Sequence, residues 1–166
     1  RGWQNCETVE RFAQFAGMMA AHFSGRVSHF ITLNEPQIVL KLGYADGIHA
    51  PGKRLSLPEL LSCWKNLMLA HGLSFRAIRN AAPEAEIGIA STGKLCYPHS
   101  PADEDAARQE TFRLTDSDWM FTHAIVLDAV CLGRDEPEAG ALRKLLSAVT
   151  PEEWATMHAV PDFIGV

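Results

Sequence analysis

No apolar run in this 166-residue sequence approaches the ~20 residues that span a bilayer, and no basic-then-apolar leader opens it. Basic charge is also short: 15 Lys and Arg stand against 20 Asp and Glu, for a net charge of −5. No polybasic face for nucleic acid or a membrane surface is expected from that balance. The four cysteines, Cys6, Cys63, Cys96 and Cys131, are too far apart for a zinc spacing or a dense disulfide scaffold. A reducing cytoplasm is therefore the expected compartment. The seven histidines form no i,i+2 or i,i+4 ligand pair, and no metal is expected. No Gly-x-Gly-x-x-Gly follows a strand-like run and no Walker A pattern occurs, so neither a dinucleotide fold nor a P-loop is supported, and no cofactor is expected. No internal repeat is visible. What is present is ordinary: 47% hydrophobic and 21% charged residues, enough to exclude disorder. The length fits one domain.

The ends complicate that length. The chain opens on Arg1-Gly2-Trp3 and stops at Asp162-Phe163-Ile164-Gly165-Val166, an apolar run that reads as a buried strand. Termini usually lie at the surface and are loosely held. The expectation is a piece of something larger, the alternative being a short C-terminal edge strand.

Asn5 reads as an N-cap, with Glu7 and Glu10 in the first turn of a helix whose apolar face is Val9, Phe12, Ala16, Met19, Ala20 and Phe23. Val27 to Asn34 is rich in β-formers, and Glu35-Pro36 closes it. The stretch from Gly43 to Gly52 reads as loop. Ser56 and Glu59 form a capping box for a long helix that buries Leu60, Leu61, Trp64, Leu67, Met68, Phe75 and Ile78. Pro83 ends it, and a strand is expected from Glu86 to Ser91. Helical patterns follow over about 104–114, 117–132, 138–148 and 151–158, the last opened by Thr150-Pro151-Glu152-Glu153. Strands alternating with helices predict an α/β fold with a parallel sheet and right-handed crossovers.

In parallel α/β proteins, function sits at the C-terminal ends of strands. The first strand ends in Asn34-Glu35-Pro36. A carboxyl beside Ile31 and Leu33 is expected to be partly desolvated, which suits a general acid. Asn34 can donate and accept, as a grip on a sugar hydroxyl requires. A solvated loop glutamate is the competing reading. His71, one turn after Leu67, reads as a packed core histidine, and His49 as a loop residue or part of a substrate entrance. Asp103-Glu104-Asp105 reads as a solvated helix start, and Trp64 and Trp154 as core.

Ile31-Thr32-Leu33-Asn34-Glu35-Pro36 resembles the T-[FL]-N-E-P signature of glycoside hydrolase family 1, the β-glucosidase and 6-phospho-β-glucosidase family. Gly2-Trp3-Gln4-Asn5 resembles its G-G-W-x-N, and Arg26-Val27 the segment before that strand. Gly43-Tyr44 through Gly47 to Gly52 resembles its G-Y-x-x-G-x-x-A-P-G loop. Asn66 to His71 resembles H-N-L-L-x-A-H, and Asp162 to Gly165 resembles D-F-I-G-x-N-Y-Y. The motifs occur in the family's order over essentially the whole chain.

The resemblance implies a partial TIM (β/α)8 barrel, about strands four to six with their helices, with 1–166 an internal segment of one catalytic barrel. At about 55 residues per βα unit, eight units would take about 440 residues, at the large end for such a barrel. It implies a retaining β-glycosidase acting on β-glucosides or related sugars, with Glu35 as general acid/base and Asn34 on the sugar 2-hydroxyl. The family's nucleophile lies in a T-E-N-G motif that does not occur here, and its other glycone-binding residues would lie before Arg1 and after Val166. The isolated chain is accordingly expected to be inactive. The expected partner is a small-molecule β-glycoside or oligosaccharide. The remainder of the barrel, as a separate chain, is a further candidate partner. The alternative function is a non-catalytic sugar- or partner-binding protein derived from the family. Some positions depart from the pattern. Gln37 stands where an aromatic lining the aglycone side usually follows N-E-P, and Ser91-Thr92 stands for Leu-Asn. Leu127-Asp128-Ala129 lacks the proline of L-D-P, and Arg134-Asp135-Glu136-Pro137 lacks the Tyr of G-x-Y-P. These changes are expected to touch the outer wall of the site more than Glu35.

Overall fold

A computed structural model describes residues 2–134 and 140–166. Helix α1 (Glu7–Phe23) leads to strand β1 (His29–Asn34). A short α2 (Pro36–Ile38) runs into a π-helical turn over Val39–Ala45, and α3 (Leu57–Ala81) follows. Then come β2 (Glu86–Ala90), α4 (Glu104–Phe112) and α5 (Ala124–Leu127), which passes into a π-helical turn over Asp128–Leu132. Helices α6 (Ala141–Leu146) and α7 (Pro151–Met157) precede β3 (Phe163–Gly165). The strands form one parallel sheet in the order β1-β2-β3, as the alternation of strands and helices predicts. The sheet is open: among the described residues β1 and β3 each pair on one side only. No helix among the described residues is long and apolar enough to cross a membrane.

Three expectations are corrected. Gly43-Tyr44 is not loop but part of the π-helical turn, with both residues buried. The helix expected over 117–132 begins only at Ala124. Polar side chains decide that start: the Thr115 hydroxyl accepts from the Asp118 N–H at 3.2 Å, while Asp116 is drawn away to accept from Ala141 and Leu142 N–H at 2.9 and 2.7 Å. Short polar side chains that bond nearby backbone compete with helix in this way. The N-cap of α1 is Cys6, although the Asn5 side chain still accepts from Glu7 N–H at 3.3 Å. The expected helix over 138–148 is seen as α6; residues 138 and 139, and Asp135-Glu136-Pro137, lie outside the described residues.

Helix α3 organises the packing. Its capping box forms as expected, with Ser56 N–H donating to Glu59 at 3.0 Å. Its buried side chains, Leu60, Leu61, Trp64, Leu67 and Met68, join the main core with Leu33, Leu40 and Ile89. A smaller core of Ala20, Ile78 and Ile87 joins α1, α3 and β2. Trp154 packs edge-on to Trp64 at 5.9 Å. Trp3, Tyr44 and Asn66, each from a different family-like motif, meet in one junction. Trp3 N–H donates to the Tyr44 hydroxyl at 2.9 Å and Asn66 donates to the Trp3 carbonyl at 2.7 Å. Those motifs are structural here.

Helices α3 and α7 touch backbone to backbone. A Cβ on Gly72 would overlap the Thr156 carbonyl oxygen. The Arg76 guanidinium, one turn on, donates to the carbonyls of Thr156, Ala155 and His158 at 2.7 to 3.2 Å, closing the end of α7. Gly72→Ala is therefore expected to push α7 outward and to lower the stability of the whole protein by roughly 1–3 kcal/mol. A denaturant midpoint measures this, and an unchanged midpoint would refute the backbone contact.

Candidate functional site

The end of β1 departs from simple alternation. Ile31 pairs with Gly88 and Asn34 with Ala90, so β1 carries one residue more than β2 over that span. Such a bulge re-aims the residues around it. Thr32 and Leu33 are both buried, and Asn34 emerges exposed at the strand end. Glu35 follows in the left-handed region, at φ 46° and ψ 59°, the one non-glycine residue of positive φ among those described. For a residue with a Cβ this costs about 1–2 kcal/mol. It is held by its own N–H, which donates to the Ala90 carbonyl at 2.9 Å, and by its carbonyl, which accepts from Ile38 N–H at 2.9 Å. Pro36 fixes the next φ. Non-glycine backbone of this kind gathers at functional sites. Glu35 is half-buried.

The structure thus brings Asn34 and Glu35 together at the C-terminal end of the sheet. Ser91 N–H donates to the Gly165 carbonyl at 2.9 Å, so the backbone network crosses from Glu35 through Ala90-Ser91 to Gly165. Of its apolar neighbours in the strand, Leu33 belongs to the main core and Ile31 is 49% exposed.

Behind the strand, Thr32 and His71 form a buried pair, with Thr32 Oγ1 2.7 Å from His71 Nδ1. His71 Nε2 lies 3.0 Å from the Ala159 carbonyl. A carbonyl only accepts, so Nε2 carries the proton and Nδ1 accepts from the Thr32 hydroxyl. Burial pushes the His71 pKa down to about 4; the Ala159 carbonyl opposes that and the Arg76 charge adds to it. His71 is a core histidine, as its place in the helix pattern indicated. His49 is exposed in its loop, and Asp103-Glu104-Asp105 are exposed at the start of α4.

The family-like aspartate at the start of β3 is also structural. Asp162 accepts from Ile87 N–H at 2.7 Å and from Arg79 at 2.5 Å, which together hold its pKa below the usual aspartate value. It fastens β3 to β2.

Gln37 overturns an expectation. It does not line an outer wall but is fully buried, donating to Ser91 Oγ at 2.8 Å and to the Thr122 carbonyl at 3.3 Å. Thr92 N–H donates to its Oε1 at 3.4 Å. Ser91 Oγ also lies 3.0 Å from His123 Nδ1. Thr122 and His123 were not singled out from the sequence; the only clue was that Gln37 and Ser91-Thr92 depart from the family pattern together.

The model of glycosyl hydrolase family 1 matches residues 1–166. The chain belongs to glycosyl hydrolase family 1. Beta-glucosidase 25 of Oryza sativa subsp. japonica is 37% identical to it over 189 residues, covering 99% of this chain and 35% of that protein. Beta-glucosidase A of Acetivibrio thermocellus is 32% identical over 167 residues, covering 99% of this chain and 36% of that protein. The family 1 β-glucosidase structure from Thermotoga maritima superposes with a TM-score of 0.79 at 25% identity, over 98% of this chain and 35% of that one. The family 1 chain described here spans about a third of the length of these relatives.

Proposed function

We propose that residues 1–166 are an internal segment of a retaining β-glycosidase barrel, its strands four to six, with Glu35 as general acid/base and Asn34 as a sugar-binding residue. The observation that carries this reading is the left-handed Glu35 at the end of β1, pinned through its N–H to Ala90 and through its carbonyl to Ile38. Hydrolysis of β-glucosides is the activity named for the family relatives.

In the first step the protonated Glu35 carboxyl delivers its proton to the glycosidic oxygen as the C1–O bond breaks. A second carboxylate, outside these residues, bonds to C1 from the opposite face. In the second step the Glu35 carboxylate takes a proton from water as the water oxygen bonds to C1 and the enzyme carboxylate leaves. Two inversions give net retention, and the two carboxyl groups must stand about 5–5.5 Å apart. Asn34, exposed beside Glu35, can donate its amide N–H to the sugar 2-hydroxyl, a bond that strengthens as charge develops on the ring.

The test follows the anomeric configuration of the first-formed sugar from an aryl β-glucoside by proton NMR. The whole protein is expected to release the β-anomer, and Arg1–Val166 alone to show no turnover above buffer. Release of the α-anomer, or full turnover by the 166 residues alone, would overturn the reading. Glucoside binding without hydrolysis by the whole protein would favour a non-catalytic sugar-binding role.

A further inference from the structure

Gln37 and Ser91-Thr92 lie more than 50 residues apart in sequence, yet they touch directly below the turn that carries Glu35. The Gln37 side chain has no exposed surface. Its amide nitrogen has two acceptors, Ser91 Oγ and the Thr122 carbonyl, and its oxygen has one donor, Thr92 N–H. A buried amide stripped of such partners costs about 1–3 kcal/mol. The three bonds are kept only while the Pro36-Gln37 segment stays seated against the end of β2.

Glu35 needs that seat. A left-handed residue with a Cβ persists only where its surroundings over-determine it. Besides the local bond from Ile38 N–H to its carbonyl, one long-range restraint is its own N–H bond to Ala90. The other comes two residues after it, through Gln37 to Ser91 and Thr92. Both lead to the same three residues at the end of β2. Pro36, buried between them, transmits the second restraint through a fixed φ.

We propose that Gln37 is a positioning residue for Glu35: its buried amide, clamped by Ser91, Thr92 and Thr122, holds the acid/base in the left-handed turn from which it acts. The inference rests on the reading of Glu35 given above. Gln37 has no exposed surface from which to meet a substrate. An apolar side chain of similar size would fill the same space but leave the turn free to relax.

The experiment compares two β-glucosides in the whole protein: methyl β-glucoside, whose alkoxide leaving group needs a proton, and 2,4-dinitrophenyl β-glucoside, whose leaving group does not. Glu35→Gln is measured first and fixes the pattern of lost acid catalysis. Gln37→Met is then expected to lower kcat/KM for the methyl glucoside about 50-fold, the loss on the dinitrophenyl glucoside being at least tenfold smaller. Equal losses on both substrates, or no loss on either, would overturn the positioning role while Glu35 stands. Absence of the split in Glu35→Gln itself would overturn the acid/base reading, and the role of Gln37 with it. Should Gln37→Met not fold, Ser91→Ala removes one acceptor from the clamp and is expected to show the same split at about fivefold. No split in that variant refutes the clamp.

Discussion

Glu35→Gln in the whole protein is expected to lower kcat/KM for methyl β-glucoside by about 10³-fold, in the range that a positioned general acid contributes. That is about 4 kcal/mol of transition-state stabilisation. The substitution is nearly isosteric, and Glu and Gln share the same backbone constraint at Cβ, so the left-handed turn and its bonds to Ala90 and Ile38 are retained. What is lost is the proton. A dinitrophenolate leaves without one, so the first step of that substrate is spared. Its second step still needs a base to deprotonate water, and turnover is expected to slow there, with a burst of dinitrophenolate preceding a slow steady state. An anion such as azide needs no deprotonation and should restore the steady-state rate, giving a β-glycosyl azide. Comparable loss on both substrates, with no burst and no rescue, would remove Glu35 from the acid/base role.

Much of the fold was legible in the sequence because its signals are local. The capping boxes at Ser56 and Thr150 each need only a side chain three residues away, and both formed where the spacing placed them. The parallel sheet followed from strands alternating with helices. The two π-helical turns were not legible, because one extra residue per turn leaves no mark in apolar spacing. The stretch around Thr115 to Asp118 carried helix-like periodicity but spends its side chains on nearby and distant backbone. Asn34 and Glu35 were legible as a motif at a strand end, but the left-handed Glu35 was not, since any sequence strategy assigns that conformation to glycine first. Gln37 was misread for a plain reason. It stands where the family pattern has an aromatic lining the aglycone side, and the three partners that bury it come from residues more than 50 positions away.

Mild acid is expected to destabilise the protein, and the cause is His71. The unfolded chain binds a proton there near the ordinary pKa of 6.5, whereas the folded chain does so only at about 4. Between those values the unfolded state holds more protons, so stability falls as pH falls. Above pH 6.5 both states are neutral at this residue and its contribution is constant. Below about 4 both are charged, and the loss is complete at about 3 kcal/mol. The structural reason is burial: the ring has no exposed surface on which a charge could be solvated, and protonating Nδ1 would also force the Thr32 hydroxyl to turn from Nδ1 toward the Gly88 carbonyl, 3.2 Å away. No carboxylate faces His71 through its ring bonds; the Ala159 carbonyl takes the other nitrogen, and the charge of Arg76 works against a second cation. The carboxylates fastened to backbone, Asp162 and Asp116, have pKa values held below the usual aspartate range, so their share is lost only at lower pH. Denaturant midpoints of the whole protein from pH 7.5 to 4.5 should therefore drop steeply. His71→Gln should be less stable at pH 7.5 yet flatter across that window. A variant as steep as the wild type would place the titrating group elsewhere.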